Sequence, residues 1–165
     1  MITIERVSWD DPRAVALRDA MDADMHLRYG QPGDGSEPPE IAAERARALA
    51  VDSASVVTSL LAVDETGNAV GHIGVRWLDG DLELKRLMVL DVARGKGAAK
   101  ALLGESEAVG REQGVPRLIL QTGDKQPEAV RLYERTGWRR IPIYGPYAAT
   151  MPFSICFEKT LGGPA

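Results

Sequence analysis

The stretch Leu82–Leu103 reads LELKRLMVLDVARGKGAAKALL and contains three consecutive structural signals. Its first part is apolar and partly alternating, as in a strand, and carries one carboxylate, Glu83. A loop of small residues, Arg94–Ala99, follows and opens a segment of helical composition. The backbone N–H groups and the dipole at such a helix start favour negative charge. The stretch therefore predicts a strand, an anion-binding turn and a helix, in that order.

The glycines of this loop allow two interpretations. Gly95 and Gly97 lack a Cβ, so the backbone can approach an oxygen-rich group closely, with Arg94 and Lys96 supplying charge at the rim. A plain tight turn with two solvated cations would show the same residues. The dinucleotide fingerprint needs three spaced glycines after an early strand, and the nucleotide-triphosphate loop needs Gly-Lys-Ser/Thr, so neither motif is present.

Three antiparallel strands are predicted before the loop. Ser55–Val63 and Val70–Leu78 are β-branched and apolar, and Asp79-Gly80 is a hairpin signal leading into Asp81–Val89. The helix that follows the loop is predicted over Ala98–Gln113, ended by a glycine and a proline.

The next strand, Arg117–Thr122, follows that helix, so we expect it to run parallel to the strand before the helix. Further strands are predicted at Ile2–Val7, Trp138–Ile141 and Phe153–Lys159, with an aromatic loop at Pro142–Tyr147. The predicted fold class is α+β: a mixed, mostly antiparallel central sheet flanked by helices, with one parallel strand–helix–strand unit at the glycine loop.

Composition narrows the class of protein. The chain has 165 residues, enough for one domain over 1–165, and 20 basic against 24 acidic residues give a net charge of −4. An acidic chain argues against nucleic acid as partner. One cysteine, Cys156, excludes an internal disulfide, and with two distant histidines it argues against a structural metal. Without a signal or a membrane-spanning run, we expect a cytoplasmic protein and no membrane partner.

A second motif lies downstream of the glycine loop. It consists of Gln126, Ala129, Leu132-Tyr133-Glu134 and Gly137-Trp138. Together with the Arg-x-x-Gly-x-Ala pattern of residues 94–99, it resembles the GNAT superfamily of acyl-CoA-dependent N-acetyltransferases. The resemblance covers about Val70 to Leu161. Gln126 stands where that family usually has Asn, and Trp138 where it usually has Phe or Tyr.

The resemblance implies acetyl-CoA as cosubstrate and no metal. Backbone groups of the strand would pair with the pantetheine arm as if it were another strand, and the loop would bind the pyrophosphate. A backbone N–H near Val89 would polarise the thioester carbonyl. The residues implied to bind the cofactor are Leu87, Met88, Val89, Arg94, Gly95, Lys96, Gly97, Ala98, Ala99, Gln126 and Tyr133.

Two residues are candidates for proton transfer. Glu83 lies six residues before Val89, where GNAT enzymes often carry a base that takes a proton from the acceptor amine. It could equally be a solvated charge on an alternating strand, paired with Lys85. Tyr133 is the candidate acid for the departing thiolate, or else an amphipathic core tyrosine.

The acceptor would be an amine-bearing small molecule or a peptide N-terminus, attacked directly in a ternary complex. Met25 and Tyr29, before a turn-rich segment, could form one pocket wall, unless they are core residues. Tyr144 and Tyr147 could line the pocket, anchor the loop or contribute to a homodimer.

A CoA-binding regulatory module without turnover is the alternative function. His72 and Cys156 are interpreted as packed side chains, not reactive ones.

Overall fold

The computed structural model describes residues 1–31 and 33–162. Its seven strands are β1 (Thr3–Val7), β2 (Val56–Val63), β3 (Ala69–Leu78), β4 (Asp81–Val89), β5 (Arg117–Gly123), β6 (Arg139–Ile141) and β7 (Ser154–Thr160). Its helices are α1 (Pro12–Tyr29), α2 (Pro39–Leu49), α3 (Ala98–Glu112), α4 (Pro127–Arg135) and α5 (Tyr147–Thr150). The strands form one sheet in the order β1-β2-β3-β4-β5-β7-β6.

The predicted fold class is confirmed. All neighbouring strands are antiparallel except β4 and β5, which are parallel and joined through α3. The strand predicted at Asp81–Val89 has those bounds, and α3 ends one residue before its predicted end. The aromatic loop predicted at Pro142–Tyr147 leads into the short helix α5, which the sequence pattern did not indicate.

Local signals explain where the first helix begins and ends. Asp11 caps α1 by accepting a hydrogen bond from the backbone N–H of Arg13 at 2.9 Å, and Pro12 occupies the first helical position. The helix ends at Gly30, whose φ of 92° is a conformation that side chains with a Cβ rarely adopt. These caps hold α1 across one face of the sheet, where it contacts β3 and β4.

The two faces of the sheet differ in chemistry. One face packs against α3 through an apolar cluster; Ile73, Val75, Leu82 and Leu84 from the sheet share it with Leu102 of α3. Because side chains alternate along a strand, the intervening residues project to the other face. On β3 and β4 those residues are His72, Arg76, Glu83 and Lys85, all buried. We call these two surfaces the apolar face and the polar face.

Candidate active site

The sheet opens into a fork between β4 and β5. The two strands pair over three positions only, ending at Leu84↔Leu120. Beyond that point β4 stays paired with β3, up to Gly71↔Val89. Leu90 donates its N–H to the carbonyl of Val70 at 2.8 Å, so by alternation the N–H and C=O of Val89 point to the opposite edge, into the fork. The predicted pantetheine segment, residues 87–89, therefore has a free backbone edge in the described chain.

A bulge in β4 marks the start of the fork. The register passes from His72↔Met88 to Gly74↔Lys85, so β4 carries one residue more than β3 there. Arg86, within the bulge, has a φ of 62°, which is unusual for a residue other than glycine. Its guanidinium pairs with Asp22 of α1. A bulge bends its strand and interrupts the local ladder, and the pairing of β4 with β5 ends just before this one, at Leu84.

His72 holds this bulge from the polar face. Its Nδ1 lies 2.9 Å from the carbonyl oxygen of Arg86, and its Nε2 lies 3.2 Å from a guanidinium nitrogen of Arg18. Since arginine can only donate, Nε2 accepts and Nδ1 carries the proton. Arg18 also donates to the carbonyl of Trp9 at 2.6 Å and lies over its ring. Burial lowers the pKa of His72 to about 4, which keeps the ring neutral. The interpretation of His72 as a packed side chain is thus confirmed.

The predicted anion-binding loop opens on a cavity of about 550 Å³. Gly95 and Gly97 have φ values of 76° and 82°, and a Cβ at either would meet no atom within 4 Å. Gly97 is the N-cap of α3, so the free N–H groups of the helix start lie at this cavity. The lining includes most of the loop and one residue of the free edge: Val89, Arg94, Gly95, Gly97, Ala98 and Ala99.

The cavity is bordered by positive charge. Arg94 and Lys100 lie on the α3 side, and Arg135 and Lys159 lie opposite them, while Glu107 is the one carboxylate among the lining residues described. Cations around exposed helix N–H groups suit a polyanionic ligand such as a pyrophosphate. The other predicted cofactor residues are not part of the described lining: Leu87, Met88, Lys96, Gln126 and Tyr133.

Glu83 lies in a closed network on the polar face. It is 0 % exposed. One carboxylate oxygen accepts from Nε and Nη2 of Arg76, each at 2.8 Å. The other accepts from the hydroxyls of Tyr144 at 2.6 Å and Tyr147 at 2.9 Å. Burial, followed by the carboxylate itself, raises the pKa of both tyrosines. Both tyrosines therefore anchor residues 144–147, the end of the aromatic loop and the start of α5, to the sheet.

The suggested Glu83–Lys85 pair needs correction, because the ion pair of Glu83 is made with Arg76 on the neighbouring strand. The two residues face each other in the β3–β4 register, whereas Lys85 lies two positions along the same strand. Lys85 donates instead to the hydroxyl of Tyr147 at 2.9 Å. Burial lowers the pKa of Lys85 to about 8.

Tyr133 packs in the core at the cofactor side. Its ring contacts Trp138 edge-on at 5.9 Å and Phe157 at 5.4 Å between centroids. Burial raises the pKa of its hydroxyl above the ordinary range. The preceding residue, Leu132, lines the cavity beside the loop. A phenol that stays protonated here keeps its proton available for a strong base.

Tyr29 and Gln126 lie together at the end of β5. The Tyr29 hydroxyl accepts from the backbone N–H of Lys125 at 3.0 Å, and its ring stacks on Phe153 at 6.1 Å. A Cβ at Gly123 would lie 1.9 Å from that hydroxyl and 3.3 Å from the Gln126 side chain. Met25 is half-buried one turn earlier on α1. Of the predicted site residues, Tyr29 and Gln126 thus lie close together at Gly123. Tyr144 and Tyr147 lie elsewhere, in contact with Glu83.

Arg76, Lys85, His72 and the bulge at Arg86 were not predicted as parts of the site. A usable signal existed in the sequence, since His72, Gly74 and Arg76 alternate with apolar residues along β3. Such alternation on a central strand indicates one polar buried face. Cys156, in contrast, is buried as predicted, and burial raises the pKa of its thiol.

Two further structural observations concern metals and membranes. No group of three or more metal-ligating side chains occurs in residues 1–31 and 33–162. Over the same ranges, no helix has the length and apolar character needed to cross a membrane.

Relatives identified by sequence share the acetyltransferase description. An IAA acetyltransferase of Azospirillum brasilense is 34% identical over 91 residues, covering 55% of this chain and 59% of that protein. An acetyltransferase of Agrobacterium fabrum is 36% identical over 84 residues, covering 51% and 57%. The chain thus spans somewhat more than half the length of these relatives.

Solved structures extend the similarity to the whole described fold. A protein of Klebsiella pneumoniae assigned as an acyl-CoA N-acyltransferase is 29% identical, with a TM-score of 0.75 and coverage of 98% of this chain and 99% of that one. The PaiA N-acetyltransferase of Thermoplasma acidophilum, solved with coenzyme A, shares the fold at 16% identity, with a TM-score of 0.63 and coverage of 97% and 99%.

The family comparison covers most of the chain. The model of the acetyltransferase (GNAT) family matches residues 17–138, which begin within α1 and include the fork, the glycine loop and α4. This match, the relatives and the fold agree with the geometry described above. The chain belongs to the GNAT acetyltransferase family.

Proposed function

We propose that this protein transfers the acetyl group of acetyl-CoA to a primary amine by direct attack in a ternary complex. The observation that carries the proposal is the β4–β5 fork, whose free backbone edge meets the cavity of the glycine loop. A strand edge next to exposed helix N–H groups suits a ligand that has an amide-containing arm and a pyrophosphate. Acetyl-CoA has both.

The cofactor would lie along the fork with its pyrophosphate in the loop cavity. Residues 87–89 would pair with the pantetheine arm, and residues 94–99 would bind the pyrophosphate, with Gln126 near the arm. The inward N–H of Val89 would donate to the thioester carbonyl oxygen, where negative charge develops during attack. Supporting this placement, the Val89 N–H points into the fork and Val89 lines the loop cavity.

We propose Glu83 as the final proton acceptor and Tyr133 as the acid. The amine nitrogen forms a bond to the thioester carbon, and the C–S bond breaks. The amine proton passes to Glu83 through the Tyr144 hydroxyl, which already donates to the carboxylate. The departing thiolate takes the proton of the Tyr133 hydroxyl, and solvent carries the proton gained by Glu83 back to Tyr133 once the products have left. Arg76 holds the carboxylate in position through two contacts at 2.8 Å.

The test is release of CoA by the purified protein from acetyl-CoA over a panel of primary amines and peptides. We expect turnover with at least one acceptor, reduced about 10²-fold or more by Glu83→Gln and by Tyr133→Phe. Glu44→Gln, an exposed change on α2, is the matched control. Unchanged turnover in a variant removes that residue from its role. Acetyl-CoA binding by calorimetry without any turnover would favour a regulatory module instead.

Three broader features belong to the same proposal: one domain over residues 1–165, a cytoplasmic location and a possible homodimer. Pro32 and residues 163–165 lie outside the described part of the chain, so the domain prediction extends beyond it. Sedimentation of the purified protein with and without acetyl-CoA tests the homodimer.

A further inference from the structure

Lys85 occupies the point where the fork opens. It follows Leu84, the last residue of β4 that pairs with β5. Its side chain projects to the polar face, where its amino group contacts the Tyr147 hydroxyl. The proposed thioester position at Val89 lies further along the same strand. Lys85 is therefore a charged group at the inner end of the fork, on the face opposite α3.

The Glu83 carboxylate acts on Lys85 through space and through the shared Tyr147 hydroxyl, without a direct ion pair. Glu83 is the nearest acid on its strand, and both of its oxygens already accept hydrogen bonds from Arg76 and two tyrosines. No ion pair within 4.0 Å joins Lys85 to an acid among residues 1–31 and 33–162. Its one hydrogen-bond partner is a neutral hydroxyl, although Lys85 is only 7 % exposed.

The arginines around Lys85 differ in how their charge is balanced. Arg86 is neutralised by Asp22, and Arg76 by Glu83. Arg18, also on this face, is bonded to His72 and to a backbone carbonyl, not to a carboxylate. Of Lys85, Arg76, Arg86 and Arg18, two have a carboxylate in direct contact, and Arg18 has Asp10, Asp19 and Asp22 in its vicinity. Buried charges in proteins are normally paired, so the amino group of Lys85, which has no carboxylate in direct contact in the described chain, is suited to an anion from outside the chain.

We propose that Lys85 binds the carboxylate of the acceptor, so that the preferred acceptors are small molecules with a primary amine and a carboxylate, as in amino acids. This inference rests on the proposed acetyl transfer. The phosphates of the cofactor are an unsuitable partner, because the cationic loop cavity borders α3, on the other face of the sheet. A carboxylate held at Lys85 would anchor the acceptor on the polar face, four residues along β4 from the proposed thioester position at Val89.

The first experiment measures binding without catalysis. Thermal unfolding is followed with propionate and with propionamide at constant ionic strength, for the wild type, Lys85→Met and Arg47→Met. Propionate should raise the Tm of the wild type and of Arg47→Met by about 2 °C or more, and propionamide should not. Lys85→Met should show no propionate effect. An equal rise in Lys85→Met, or no rise in the wild type, overturns the proposal.

The second experiment measures selectivity. CoA release is compared for the L-amino acids and their carboxamides. The wild type should favour the acids by about tenfold or more in kcat/KM, Lys85→Met should lose this ratio, and Lys85→Arg should keep part of it. A wild-type preference for the amides overturns the inference while leaving acetyl transfer intact. If no amine is acetylated, acetyl transfer fails and the binding experiment still decides the role of Lys85.

The folding of the test variant can be checked independently. Methionine fills a volume close to that of lysine and brings no unpaired charge into the protein. We expect Lys85→Met to unfold at the wild-type temperature or above it when no ligand is present. Lys85→Gln, which keeps a donor for Tyr147, serves as the second neutral variant if Lys85→Met does not fold, and it should show the same loss of the propionate effect.

Discussion

The two faces of the central sheet are built from alternate residues of the same strands, yet they are stabilised in different ways. On β4, Leu82 and Leu84 enter the apolar cluster under α3, while Glu83 and Lys85 enter a charged network under α1 and α5. Both pairs are buried. Leu82 and Leu84 gain free energy from burial alone, because their side chains have no polar group that must find a partner.

The charged side chains of the polar face gain little from burial, and their stability depends on the partners that each one finds. One substitution on the polar face can therefore change the charge balance, the strand geometry and the proposed proton transfer together. The following substitutions test this division.

Glu83→Leu should have the largest effect on stability. It leaves the buried Arg76 guanidinium without an anion, so we expect a loss of about 3–5 kcal/mol in the free energy of unfolding. Adding Arg76→Met should restore at least half of that loss, because the unpaired charge is then gone. Urea unfolding of both single variants and the double variant measures the coupling. Simple additivity of the two losses would show that the ion pair is not the source of the effect.

Leu102→Ala tests the apolar face. Leu102 is fully buried between α3 and the sheet, and its truncation should cost about 2–5 kcal/mol through lost burial and a cavity. We expect no second substitution on the apolar face to restore the stability lost in Leu102→Ala. This contrasts with the polar face, where Arg76→Met should restore part of the stability lost in Glu83→Leu. Urea unfolding again gives the value. A loss well below 1 kcal/mol in the free energy of unfolding would contradict the inference that burial of apolar side chains stabilises this face.

The pH dependence of stability tests the histidine that holds the bulge. The pKa of His72 is about 4 in the folded protein against an ordinary value of 6.5, so the unfolded chain takes up the proton first as pH falls. Stability present above pH 6.5 should therefore fall by up to about 3 kcal/mol between pH 6.5 and 4.

His72→Asn should lose this pH-dependent component, since its amide can donate to the Arg86 carbonyl and does not titrate. His26→Asn is the control, and it should show the wild-type profile. Unfolding free energies at several pH values compare the three proteins. A wild-type profile in His72→Asn would assign the acid sensitivity to other groups.

Gly97→Ala should have the smallest effect on stability. A Cβ there meets no atom within 4 Å, so the cost of about 1–2 kcal/mol comes from the left-handed backbone alone. We expect acetyl-CoA affinity to fall by about tenfold, because the methyl group crowds the helix N–H groups. Calorimetric titration checks this. Gly33→Ala, at a similar φ away from the loop, separates backbone strain from cofactor binding.

Local signals allowed most of the fold to be predicted from sequence. Strand alternation, the Asp79-Gly80 turn and the proline and glycine helix limits each depend on residues close together in the chain. They gave the bounds of β4 and the parallel relation of β4 and β5. The glycine loop was predictable for the same reason, since Gly95, Gly97 and the start of α3 are contiguous.

The polar face could not be predicted in the same way because its contacts join distant residues. Glu83 accepts hydrogen bonds from Tyr144 and Tyr147, which lie more than sixty positions away in the sequence. The neighbouring Lys85 was the obvious sequence partner, but strand geometry places Arg76 opposite Glu83 instead. The bulge at Arg86 depends on His72 and Arg18, which belong to two other elements.

The sheet order has a consequence for how the chain assembles during synthesis. Strands β1 to β4 are neighbours in the order in which they are made, so they can pair as they leave the ribosome. Strand β6 is made before β7 but has its pairing partner in β7. The side of the fork that carries Tyr133 therefore closes only after residues 154–160 have been synthesised. A nascent chain stalled before that point would expose the edge of β5 to other proteins.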